Sequence, residues 1–145
     1  MPRFDRCPSK RVRLNQPLPD GSRRTAITVL GGRFGERVAD LVAAVTNPPW
    51  EPGRDEHEQY REHVAAGLQA NPWARVVKVS DFTNYAGLFH TTGPKLHALA
   101  TKYRPLAPVL RELVPRPDTP LDQDVKDMIA RQLDNAEERF AAIAG

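Results

Sequence analysis

Asn71-Pro-Trp-Ala-Arg-Val-Val-Lys-Val-Ser-Asp-Phe-Thr-Asn-Tyr85 is the stretch on which the fold turns. Asparagine before proline is a strong helix start. The Asn71 side chain can accept from an otherwise unpaired first-turn amide, and Pro72 has no amide to leave unpaired. Beyond it Trp73, Val76, Val77, Phe82 and Leu88 recur at helical spacing, so the pattern predicts a helix over 72–89, the most apolar of the chain and its central one. Asp81 falls on the face of Val77 and close to Lys78. Carboxylates seldom enter cores without a cation or a metal, so Asp81 needs a partner: Lys78, an arginine from another helix, water or an ion.

Upstream, Phe34, Val38, Leu41, Val42 and Val45 mark an amphipathic helix over 33–46, stopped by Asn47-Pro48-Pro49. The preceding Thr25-Ala-Ile-Thr-Val-Leu30 run fits a strand or a helical turn equally well. A loop at 50–53 leads to a helix over 55–69 with an acidic first turn and a line of Tyr60, Val64 and Leu68. That apolar face is narrow, which places the helix at the outside of the bundle.

Downstream, Thr91-Thr-Gly-Pro94 separates the central helix from one over 94–103 that turns Leu96 and Leu99 inward. Pro105 and Pro108 restrict continuous helix, so 106–114 reads as a kinked continuation or a short helix built on Leu106, Val109, Leu110 and Leu113. After Pro115-Arg-Pro117, the sequence Thr119-Pro-Leu-Asp122 supplies a cap, a first-turn proline and an acidic residue for a last helix over about 120–141. Val125, Met128, Ile129, Leu133, Ala136 and Phe140 carry it. The expected fold is all-α: a compact bundle of five to six helices over 32–145, preceded by an extended, proline-rich basic arm over 1–31.

The chain has 145 residues, 40% of them hydrophobic and 27% charged, enough for one core and rarely for two. No apolar stretch is long enough for a membrane span or a secretory signal, so the expectation is a soluble, cytoplasmic protein. Cys7 is the single cysteine and can form neither an intrachain disulfide nor a multi-thiolate metal site. The net charge of +3 is unevenly placed. Residues 1–24 hold seven Lys or Arg against Asp5 and Asp20, a net of +5, whereas residues 25–145 hold fourteen against sixteen acids, a net of −2. Nucleic acid is therefore disfavoured as a partner of the helical body and would have to bind through the arm.

Gly31-Gly-Arg-Phe-Gly35 lacks the Lys-Ser/Thr of a phosphate-binding P-loop and the spacing of a dinucleotide fingerprint. No serine nucleophile elbow occurs. His57, His63, His90 and His97 form no H-E-x-x-H pair, and each reads as an ordinary surface or hydrogen-bonded histidine.

Three blocks, Phe34-Gly-Glu-Arg-Val-Ala-Asp-Leu-Val-Ala-Ala-Val-Thr46, Tyr60-Arg-Glu-His63 and Val76-Val-Lys-Val-Ser-Asp-Phe-Thr-Asn-Tyr85, resemble the second half of bacterial HD-domain metal-dependent phosphohydrolases. The nearest branch is the RelA/SpoT-like guanosine tetraphosphate hydrolase domain, and the resemblance covers roughly 33–113. It implies an all-helical fold and one divalent ion, commonly manganese, held by an early histidine, a consecutive His-Asp pair and a later aspartate. Asp81 matches that later aspartate, as metal ligand and catalytic group. Lys78, in the preceding Val-Lys-x-x-Asp pattern, is implied as a phosphate contact or as its ion-pair partner. The inherited chemistry is hydrolysis of a nucleotide phosphoester or pyrophosphate.

The chain departs from the family pattern upstream. No histidine precedes His57, no His-Asp dipeptide occurs, and Asn84 follows Asp81 by three residues where the family places asparagine at four. A hydrolytic ion needs several protein ligands besides its water. The expectation is a truncated or degenerate HD-like protein, inactive alone. Its alternative is a non-catalytic domain that binds a nucleotide or other phosphate-containing small molecule, nucleic acid or a protein partner, with self-association through uncovered apolar faces as a further expectation.

Overall fold

The computed structural model describes residues 20–86 and 94–144, and every regular element among them is helical. In chain order these are α1 (Asp20–Phe34), α2 (Glu36–Val45), α3 (Glu56–Ala70), α4 (Pro72–Ala86), α5 (Pro94–Tyr103), α6 (Ala107–Leu113) and α7 (Gln123–Ala144), with a 3-10 turn (Arg104–Leu106) between α5 and α6. Helices α2 to α7 form a six-helix bundle, against which α1 packs through α2. The all-α expectation holds, with no strand among the described residues. Residues 1–19, with Cys7 and most of the basic arm, and residues 87–93, with Leu88, Phe89 and His90, lie outside them.

The arm reading fails where it can be compared, at 20–31, because the chain there is already helical. Gly31-Gly32 looked like the end of a lead-in, yet a helix passes through glycines at a cost of roughly 1 kcal/mol each. The break comes at Gly35, whose φ of +90° suits glycine and few other residues. Its N–H donates to the Gly31 carbonyl at 2.9 Å and its carbonyl accepts from Val38 N–H at 3.2 Å, so one residue closes α1 and opens α2.

Helix α3 starts where Asp55 caps it, the carboxylate accepting from Glu58 N–H at 2.8 Å. Its narrow stripe does not put it at the outside. Tyr60, Val64 and Leu68 are all buried, and Gln59 joins them by tying its side chain to Glu51 and Arg54 of the preceding loop. A stripe one residue wide suffices when neighbours close on it from both sides. On one side α2 comes so near that a Cβ added at Gly67 would lie 2.5 Å from the Ala44 carbonyl oxygen.

Helix α4 begins as expected, with Asn71 Oδ1 accepting from Trp73 N–H at 3.1 Å. Its buried face is not the expected one. Ala74, Arg75, Lys78, Val79 and Phe82 point inward, while Trp73 and Val77 stay 47% and 40% exposed. Two cations on the inner face explain the rotation, since each finds enough partners to be buried. The Arg75 guanidinium, 1% exposed, donates from Nε to Leu68 O at 2.8 Å, from Nη1 to Asp118 Oδ1 at 2.6 Å and Thr119 Oγ1 at 2.9 Å, and from Nη2 to Gln69 O at 3.4 Å. Phe82 anchors the centre of the core, edge-on to Tyr103 and Phe140.

The prolines act as expected: Pro105 sits in the 3-10 turn and Pro108 in the first turn of α6, kinking the chain while Leu106, Leu110 and Leu113 remain buried. Helix α7 starts later than expected, at Gln123. The Thr119 hydroxyl, expected as its cap, instead donates to Leu113 O at 3.0 Å and accepts from Arg75. Ile129, Leu133, Ala136 and Phe140 carry α7 onto the core, and Met128 lies outside it, 45% exposed.

Candidate anion-binding cleft

A cleft of about 320 Å³ opens between the end of α2, α3, α4 and the end of α5. Val45, Thr46 and Asn47 form one lip. Tyr60 of α3 and Tyr103 of α5 line the cleft, α4 contributes Val77, Lys78 and Asp81, and α5 contributes Lys102. The structure thus brings together Lys78 and Asp81, the two residues singled out from sequence, one helical turn apart.

Lys78 is the buried member of the pair and Asp81 the half-exposed one. Lys78 Nζ donates to Asp81 Oδ2 at 2.9 Å and also to the Tyr60 phenol, which in turn hydrogen-bonds Tyr103. Its ammonium lies 5.2 Å from the centroid of the Tyr60 ring and 5.8 Å from that of Tyr103. Burial pulls its pKa down, but Tyr60 and Asp81 together hold it above the ordinary lysine value. Burial conversely pushes the Tyr60 phenol up, against the opposing pull of Lys78. Lys78 is a proton-holding cation at any neutral pH.

Lys102 is the second cation. Its Nζ lies 4.6 Å from the Tyr60 ring centroid and 5.5 Å from that of Tyr103, so both ammoniums share the same two aromatic faces. Burial lowers its pKa, the charge of Lys78 lowers it further, and Asp81 only partly offsets them. The lining residues thus carry two positive charges and one negative.

The donor set does not fit a hydrolytic metal. Among the described residues no three His, Cys, Asp or Glu side chains come together in a way that could hold an ion. Asp81 has an ammonium on one oxygen, and two lysines in the same cleft repel a cation. His63, the histidine within the resemblance, sets Nε2 3.3 Å from the Ala43 carbonyl. His57 and His97 are exposed, and His90 lies outside the described residues.

Sequence reasoning found Lys78 and Asp81 and missed the partnership with Lys102 and Tyr103. Tyr60 was legible only as a core residue. The one local signal is the Lys102-Tyr103 pair closing α5, and its meaning depends on α3 and α4, 20 to 40 residues away in the chain. None of the described helices is long and apolar enough to cross a membrane. No protein-family model, no curated protein and no solved structure matches the chain.

Proposed function

We propose that this chain is a ligand-binding domain, HD-like by descent and degenerate in its metal centre, whose cleft binds the phosphate group of a nucleotide or other small molecule. The observation that carries this reading is the pairing of two half-shared ammonium groups, Lys78 and Lys102, with a single carboxylate, Asp81. An anion entering the cleft meets a surplus positive charge and relieves the repulsion between the lysines. Lys78 is already oriented by Asp81 and Tyr60, so it loses little freedom on binding. Lys102 swings in from a half-buried position and completes the clamp. Asp81 then acts as a positioning residue for Lys78 and not as a metal ligand.

Calorimetric titration with inorganic pyrophosphate in metal-free, low-salt buffer tests the reading. One saturable site per chain is expected, weakened about tenfold or more by Lys102→Ala, since a charge-assisted hydrogen bond contributes about 1.5–3 kcal/mol. No binding, or binding indifferent to Lys102→Ala and Lys78→Met, overturns it. With Mn²⁺ and guanosine tetraphosphate, no release of pyrophosphate is expected. Robust release that Asp81→Ala abolishes would restore the metal-dependent hydrolase in its place.

A further inference from the structure

The rotation of α4 that buries Arg75 and Lys78 leaves an apolar strip on the outside. Trp73 and Val77, one turn apart, are about half exposed, and Val38 of α2 is 38% exposed beside them. Arg37, near the start of α2, stacks on the Trp73 ring at 5.4 Å, while Val45, at the end of α2, shares the cleft with Val77 and Asp81 of α4. The two helices therefore run side by side in the same direction for about 12 Å, eight residues of each. Val77 belongs to both features: it lines the cationic cleft and continues the apolar strip.

From this continuity we propose that the ligand of the cleft is amphiphilic, an aliphatic phosphomonoester. Its head lies between Lys78 and Lys102 and its alkyl body lies along the α2–α4 groove, over Val77 and toward Val38 and Trp73. The proposal rests on the anion-binding reading given above and adds the body of the ligand to its head. Charge complementarity fixes the polarity of the ligand, since the surplus cations stand at one end of the strip only. The groove also favours an aliphatic body over a planar base. Its open wall is made of valine side chains, and Arg37 already covers a face of the Trp73 ring, the surface on which a base would stack.

Titration of the full chain with octyl phosphate below its micelle concentration, against inorganic phosphate, tests this. Each methylene laid on the groove strengthens binding about fourfold, so three or four of them give octyl phosphate an advantage of about a hundredfold. The double variant Val38→Ser/Val77→Ser replaces exposed side chains and leaves the lysines in place. It is expected to remove most of that advantage with the affinity for inorganic phosphate unchanged, which also shows that the variant is folded. Octyl phosphate binding no tighter than inorganic phosphate, or an advantage that survives in the double variant, overturns the proposal while leaving the anion site standing. Guanosine diphosphate binding more tightly than octyl phosphate, with no loss in the double variant, likewise overturns it in favour of a nucleotide. If neither phosphate compound responds to Lys102→Ala, the anion-binding reading itself has failed.

Discussion

Lys102 keeps its proton against two opposing influences, partial burial and the neighbouring ammonium of Lys78. The rings of Tyr60 and Tyr103 and the carboxylate of Asp81 offset them incompletely, which leaves its pKa below the usual lysine value. The sign of the consequence for binding follows. A bound phosphate favours the charged amine, so it raises the Lys102 pKa, and binding takes up a proton wherever the free protein has begun to lose it. Affinity for pyrophosphate is thus full at neutral pH and falls as pH rises through the lowered Lys102 pKa, earlier than an exposed lysine would allow. Lys102→Arg should hold its charge throughout and flatten the curve, as calorimetry across neutral to alkaline pH would show. An equal fall in both proteins would locate the titrating group elsewhere, with Tyr60 and Tyr103 the first alternatives.

Between α2 and α3 the contact is backbone on backbone at Gly67, with no space for a methyl group against Ala44. Gly67→Ala would ordinarily help an exposed helix, yet here it should destabilise by about 1–3 kcal/mol because the two helices must part. Urea denaturation would register a lower midpoint, whereas an unchanged or higher midpoint would mean that α2 yields freely. Most element positions were legible because their signals are local: Asp55 and Asn71 as caps, Pro105 and Pro108 as a kink, the spacing of Leu133, Ala136 and Phe140 in α7. The inner face of α4 was not. Hydrophobic periodicity assigns Trp73 and Val77 inward and Arg75 outward, and only partners distant in sequence, Asp118 and Thr119 for Arg75 and Tyr60 for Lys78, reverse that order. Helix α1 escaped notice for the opposite reason, since two glycines imitate a boundary that the backbone crosses. The site was half legible on the same grounds: Lys78 and Asp81 sit three apart on one helix, whereas Lys102 and Tyr103 join them through tertiary packing.

Across the whole molecule, stability is concentrated in α3 to α7, which supply the residues of the central core, and declines toward α1. In α1 the side chains described are exposed or only partly covered, with Val29 at 53% and Phe34 at 63% exposed. Hydrogen exchange should therefore release the amides of α1 well before those of α3 and α4, through local opening that leaves the core intact. Equal protection of α1 and α4 would mean that α1 is as firmly integrated as the rest. The buried guanidinium of Arg75 has a wider effect than its own hydrogen bonds. Successive helical residues point about 100° apart, so a small roll of α4 would exchange Val77 for Lys78 on the inner side. With five bonds into two loops, Arg75 acts as a key in a slot and denies the helix that roll. The protein cannot conceal its apolar strip by turning it inward, so whatever hides that strip from water must come from outside α4.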